Sequence, residues 1–168
     1  VPGFDGGRQH LFSVVVAEAK EASAQGVTAV AEELDAEAER QDALSRALGR
    51  LGVTAAFLVD GSLVVTTEPS GTATDQAAQA ARAALLIRAS WPEAEVALAT
   101  GRGVLRGSWP VGEVVERALH SLRARGAAPA GVRLDALSAD LLDRRFLRTG
   151  TGDEQVLVGE VTSVDEAR

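Results

Sequence analysis

The chain has 168 residues, 46% of them hydrophobic, which is enough for one compact domain, and with no cysteine and two histidines it excludes disulfides, thiolate metal sites and histidine-rich metal centres. Twenty-four acidic residues against seventeen basic ones give a net charge of -7, which suits poorly a protein whose work is to hold phosphate backbones, so nucleic acid is not an expected partner. No apolar run approaches the roughly 20 residues needed to span a bilayer, and the opening VPGFDGGRQH lacks the basic and apolar regions of a signal peptide, so a cytoplasmic protein without a membrane partner is expected.

In chain order, HLFSVVVAEA (His10–Ala19) is a continuous apolar run with β-branched residues, as expected of a strand covered on both faces. Residues 28–48 place Val30, Leu34, Ala38, Leu44 and Leu48 at helical spacings among charges, and Gly49 and Gly52 then stop the helix. In FLVDGSLVVTT the pair Asp60-Gly61 separates two runs suited to strands, which predicts a hairpin. Thr72-x-x-Asp75 is placed to cap a long alanine-rich helix that Pro92 closes. AEVALATGRGVLRG reads as a strand, a glycine-marked turn and a second strand. VGEVVERALHSLRARG reads as a helix with Val111, Val114, Val115, Ala118, Leu119 and Leu122 on one face. A short strand, a short helix from Ser138 and a terminal hairpin complete the pattern. This order predicts an α+β fold: a ferredoxin-like βαββαβ sheet with helices on one face, extended at the C-terminal end by a strand, a helix and a hairpin. That architecture hosts many unrelated functions and does not by itself specify one.

Four stretches taken together carry more information. SVVVAEA, VDGSLVV, VALATGRGVLRG and VGEVVERAL occur in the order and at roughly the spacing of class III adenylyl and guanylyl cyclases, and the chain resembles their cyclase homology domain over nearly its whole length. The matching family patterns are a first strand ending in Ala-Asp, a hairpin bearing Gly-Asp-Gly, a strand ending in Thr-Gly followed by Val-x-x-Gly, and a helix that begins Gly-Asp-x-Val-Asn. LDALSADLLDRRF and VLVGEV also look like the family's closing segment. TDQAAQAARAAL, ATGRG and PVGEVVERA are further similar to the divergent cyclase-like modules of large bacterial signalling proteins, where such a module sits between a serine/threonine kinase domain and an ATPase domain. The resemblance implies a cyclase homology domain over residues 10–162, a tail or linker over 1–9, and the start of a linker to a following domain over 163–168. The missing initiator methionine fits a piece of a longer chain.

The chemistry of the resembled family indicates what its site needs. Closing a nucleoside triphosphate into a cyclic monophosphate requires an activated ribose oxygen, in-line attack and neutralisation of phosphate charge, supplied largely by two metal ions. The family's two metal-holding aspartates correspond to Glu18 and Asp60. Glu18 is one methylene longer, and Val59 replaces the first glycine of the hairpin motif, which would displace an octahedral site. Asp60 has a second reading as a turn residue, and Glu18 one as a strand-end surface charge. The family's purine-recognising positions hold Ala56 and Trp109, neither of which reads a base edge through charge or a matched hydrogen bond. The family's ribose-orienting Asn becomes Glu116, and its phosphate-stabilising Arg becomes His120. A fixed cation at a phosphoryl-transfer site is worth about a thousandfold or more in rate.

The expectation is therefore a noncatalytic cyclase homology domain: no catalytic residue, vestigial metal positions at Glu18 and Asp60, no resident cofactor, and a regulatory or dimerising role. The expected partners are a second copy or another cyclase-like, kinase or ATPase domain. A nucleotide-binding sensor taking ATP or GTP with Mg²⁺ or Mn²⁺, and the defective half of a composite cyclase site, are the alternatives. Trp109 has two readings, as filling in a partner interface or in its own core.

Overall fold

A computed structural model describes residues 10–19, 31–58, 61–67, 72–92, 94–106, 109–122, 131–150 and 155–161. Its strands are β1 (His10–Ala19), β2 (Thr54–Phe57), β3 (Leu63–Thr66), β4 (Ala94–Arg106), β5 (Trp109–Val111), β6 (Val132–Leu134), β7 (Phe146–Thr149) and β8 (Gln155–Glu160). The helices are α1 (Ala31–Arg50), α2 (Ala73–Ser90), α3 (Glu113–Leu122) and α4 (Ala136–Leu141). The strands form one sheet in the order β2-β3-β1-β4-β6-β8-β7, with β5 added to β4. Only the β4–β6 pair is parallel among the described strands.

The apolar run of β1 explains its central place. Successive side chains leave opposite faces of a strand, so Phe12, Val14 and Val16 enter one core while Val15 and Ala17 enter the other. All five are almost wholly buried, each contributing about 1.5–3 kcal/mol if large. On the Val15 side, α1 and α2 share one face as the sequence predicts. Leu44 and Leu48 come from α1, and Ala77, Ala80, Ala81, Ala84 and Ile87 from α2. The alanines of α2 let that helix settle close to the sheet. α4 packs on the same side through Ala139. α3 closes the opposite face with Val114, Ala118 and Leu122, against Phe12, Val14, Val16, Ala97 and Ala99.

Several local expectations are met. The hydroxyl of Thr72 accepts from the Asp75 amide at 3.1 Å and caps α2. The α2 helix ends at Ser90, just before Trp91 and Pro92. Antiparallel pairing of β2 with β3 makes the hairpin, in which the Leu58 amide donates to Ser62 O at 2.7 Å and Gly61 takes φ 92°. Val59 and Asp60 lie outside the described residues.

Two expectations are corrected. Residues 94–106 form one continuous strand, without a turn at Gly101-x-Gly103. β1 pairs along it as far as Gly103, and the glycines serve close approach instead: a Cβ on Gly101 would stand 3.2 Å from an Arg117 nitrogen. The short C-terminal helix starts at Ala136, not Ser138, because Asp135 is its cap and accepts from the Ser138 amide at 3.0 Å. Strand β5 was not anticipated. Pro110 within it has no N–H to donate, which suits a short peripheral strand.

Candidate functional site

The face closed by α3 is where the family's helix motif falls. Gly112, just ahead of the helix, has φ 131°, and a Cβ there would lie 3.0 Å from the Gly103 Cα, so backbone geometry and close approach both call for glycine. Beyond it, Val114, Ala118 and Leu122 recur every four residues and turn to the sheet. Glu113, Glu116 and His120 are consequently exposed. Glu113 and Glu116 in the first turn complement the helix dipole. Glu116 and His120, the two α3 positions singled out by the sequence resemblance, are thus brought together one turn apart on the outer side of the helix.

Arg117, between them in sequence, turns inward. Its Nη1 donates to Thr100 O at 2.7 Å and to Asp135 Oδ2 at 3.1 Å, and its Nη2 lies 3.4 Å from the Glu113 carboxylate. The missing Cβ of Gly101 makes room for this guanidinium. The guanidinium of α3 is therefore engaged by a carbonyl and two carboxylates of its own domain.

At the far end of β1, Glu18 is half-buried and pairs across the strands with Glu95 of β4. Ala56 is half-buried in β2, opposite Val64. Trp109 opens β5 opposite Arg106; its side chain is outside the description, as is Asp60. Among the described residues, no three Asp, Glu or His side chains are grouped to hold a metal ion.

Sequence reasoning missed a buried polar cluster on the opposite side of the sheet, where α2 and α4 pack. Ser13 Oγ and Thr100 Oγ1 lie 2.8 Å apart, and Thr100 Oγ1 and Ser138 Oγ a further 2.8 Å, all three residues fully buried. Thr67 and Gln76 tie the start of α2 to β1, with Gln76 Nε2 donating to Leu11 O at 3.0 Å and Thr67 Oγ1 donating to Gln76 Oε1 at 2.7 Å. No buried side-chain polar atom among the described residues lacks a partner, as buried polar groups require. The Asp135-x-x-Ser138 spacing was the available signal for part of this cluster.

No family model and no curated protein matches the sequence. Solved structures do. The guanylate cyclase domain of RhGC from Catenaria anguillulae, in complex with GTP, aligns with a TM-score of 0.71 over 91% of this chain and 99% of that one, at 14% identity. A non-canonical dimeric guanylyl cyclase domain of the RhoGC fusion protein from the aquatic fungus Blastocladiella emersonii aligns at 0.74, over 92% and 98%, with 13% identity. A bacterial light-regulated adenylyl cyclase aligns at 0.66, over 92% and 91%, with 13% identity. The domain therefore has the fold of the catalytic domains of class III nucleotidyl cyclases. Among the described residues no helix is long and apolar enough to cross a membrane.

Proposed function

We propose that this chain is a cyclase homology domain that has lost turnover and acts as a dimerising or regulatory module in a multidomain bacterial signalling protein. The observation that carries this reading is the outer side of α3. Where the resembled family presents an amide and a guanidinium to the nucleotide, this helix presents Glu116 and His120, both exposed, while Arg117 is drawn inward by Thr100, Asp135 and Glu113. A carboxylate facing a triphosphate repels it, and the family's fixed cation is missing. The Blastocladiella emersonii cyclase domain has been crystallised both as a non-canonical dimer and as a monomer, which makes weak self-association a reasonable property of the fold.

The test is direct. Purified protein incubated with ATP or GTP and Mg²⁺ or Mn²⁺ is expected to form no cyclic AMP or cyclic GMP above background. Turnover that disappears in Asp60→Ala would overturn the proposal. Retention of a carboxylate at Glu18 favours the second reading, a nucleotide-binding sensor. Calorimetry with the same nucleotides and metals separates the two, since saturable binding without product supports the sensor.

A further inference from the structure

Asp135 stands where the two faces of the sheet meet. It follows β6, its amide donates to Leu98 O at 3.3 Å, and its side chain is only 9% exposed. One carboxylate oxygen accepts from the Ser138 amide and so starts α4 on the face that holds α2. The other accepts from Arg117 of α3, which packs on the opposite face. The same guanidinium nitrogen also reaches Thr100 O, and the Thr100 hydroxyl is the neighbour of the Ser138 hydroxyl. Both anchors of the first turn of α4, one carboxylate and one hydroxyl, thus belong to residues that Arg117 holds.

We infer that Arg117 and Asp135 form a strut through the sheet which makes α3 and α4 open and close as one unit, although they cover different faces. When α3 lifts, the guanidinium leaves with it. Asp135 then loses its cation, Thr100 O loses its donor, and the cap of α4 is held less firmly. When α4 unravels, the carboxylate is no longer fixed and α3 loses its polar anchor. Such coupling is reciprocal by linkage. A ligand or partner that clamps the exposed side of α3 is accordingly felt at α4, whose Leu137 and Asp140 face solvent on the other side of the molecule. The inference rests on the polar contacts alone and holds whether or not the domain turns over a nucleotide.

Native-state hydrogen exchange followed by NMR tests it. Arg117→Met alters α3 alone in sequence. The strut predicts that exchange speeds by a common factor of about tenfold or more at Ala118 and Leu119 in α3 and at Ser138 and Ala139 in α4, while Val15 and Val16 of β1 stay unchanged. Acceleration confined to α3 overturns the inference, and so does equal acceleration everywhere, which would be a loss of global stability. Asp135→Asn keeps a capping oxygen but removes the charge. It is expected to accelerate α3 as Arg117→Met does, and the double variant to add nothing further. Additive effects, or an α3 indifferent to Asp135→Asn, would also overturn it; that single variant decides the matter if Arg117→Met fails to fold.

Discussion

Gly101→Ala is a small change with opposing effects whose sum depends on one neighbour. The new methyl would lie 3.2 and 3.3 Å from the two terminal nitrogens of Arg117 and 3.4 Å from the Val114 Cβ. Gly101 lies inside β4 and is not among the glycines with positive φ, so the backbone itself accepts alanine. Loss of glycine's freedom in the unfolded chain stabilises by about 0.5–1 kcal/mol. Against this, the guanidinium must shift from Thr100 O and Asp135, and a hydrogen bond to a charged group contributes about 1.5–3 kcal/mol. Arg117 is 34% exposed, so solvent screening favours the lower end of that range. The expected net effect is a destabilisation of about 1 kcal/mol. In an Arg117→Ala background no guanidinium has to move, and the same substitution should become neutral or stabilising by up to about 1 kcal/mol. Urea unfolding of the four proteins of this double-mutant cycle measures both quantities. A Gly101→Ala penalty that persists unchanged without Arg117 would refute the assignment of the clash and place the strain on Val114 instead.

Three further outcomes are expected. Ala80→Leu forces extra methylenes between α2 and the sheet, where Ala80 is fully buried, and should destabilise by about 1–3 kcal/mol in chemical denaturation. Arg145 hydrogen-bonds the Asp143 side chain and holds its carboxyl below the ordinary aspartate value of 3.8; any stability this gives is present above 3.8 and lost as pH falls through the lower folded value. Arg145→Gln should return the Asp143 titration, followed by carboxyl NMR shifts, towards 3.8. If Trp109 lines a partner interface, Trp109→Ala shifts equilibrium sedimentation towards monomer and leaves thermal unfolding of the monomer nearly unchanged; a wild-type protein monomeric at high concentration removes homodimerisation from the proposal.

Much of the fold was legible because it rests on periodicity and local capping. The run through β1 marks a doubly covered strand, the alanine-rich run of α2 a long helix, and Thr72 its start. The glycines of β4 misled because a turn and a point of close approach leave the same mark in sequence. What separates them is Arg117 over Gly101 and Gly112 against Gly103, both contacts made by a later element. For the candidate site, the helix motif located Glu116 and His120 on one exposed side of α3. Arg117 was passed over because its partners are distant: its i,i+4 neighbour Glu113 could be read locally, whereas Thr100 and Asp135 are brought in only by the sheet. The Ser13, Thr100 and Ser138 hydroxyls likewise come from separate elements and meet only in the folded domain.

The central position of β1 sets a schedule for folding during synthesis. Its partners are β3 and β4, and roughly 80 residues separate Ala17 from its β4 partner Val96. At about 5–20 residues per second the ribosome needs several seconds to deliver that second partner. Meanwhile the Val14-Val15-Val16 segment, which the finished domain shields on both sides, has neither its full ladder nor the α3 cover that arrives later still. The nascent chain therefore carries a strongly apolar strand with at most one of its two neighbours for longer than a hairpin-first topology would, and its yield in a cell should depend on chaperone capacity more than on the stability of the completed domain.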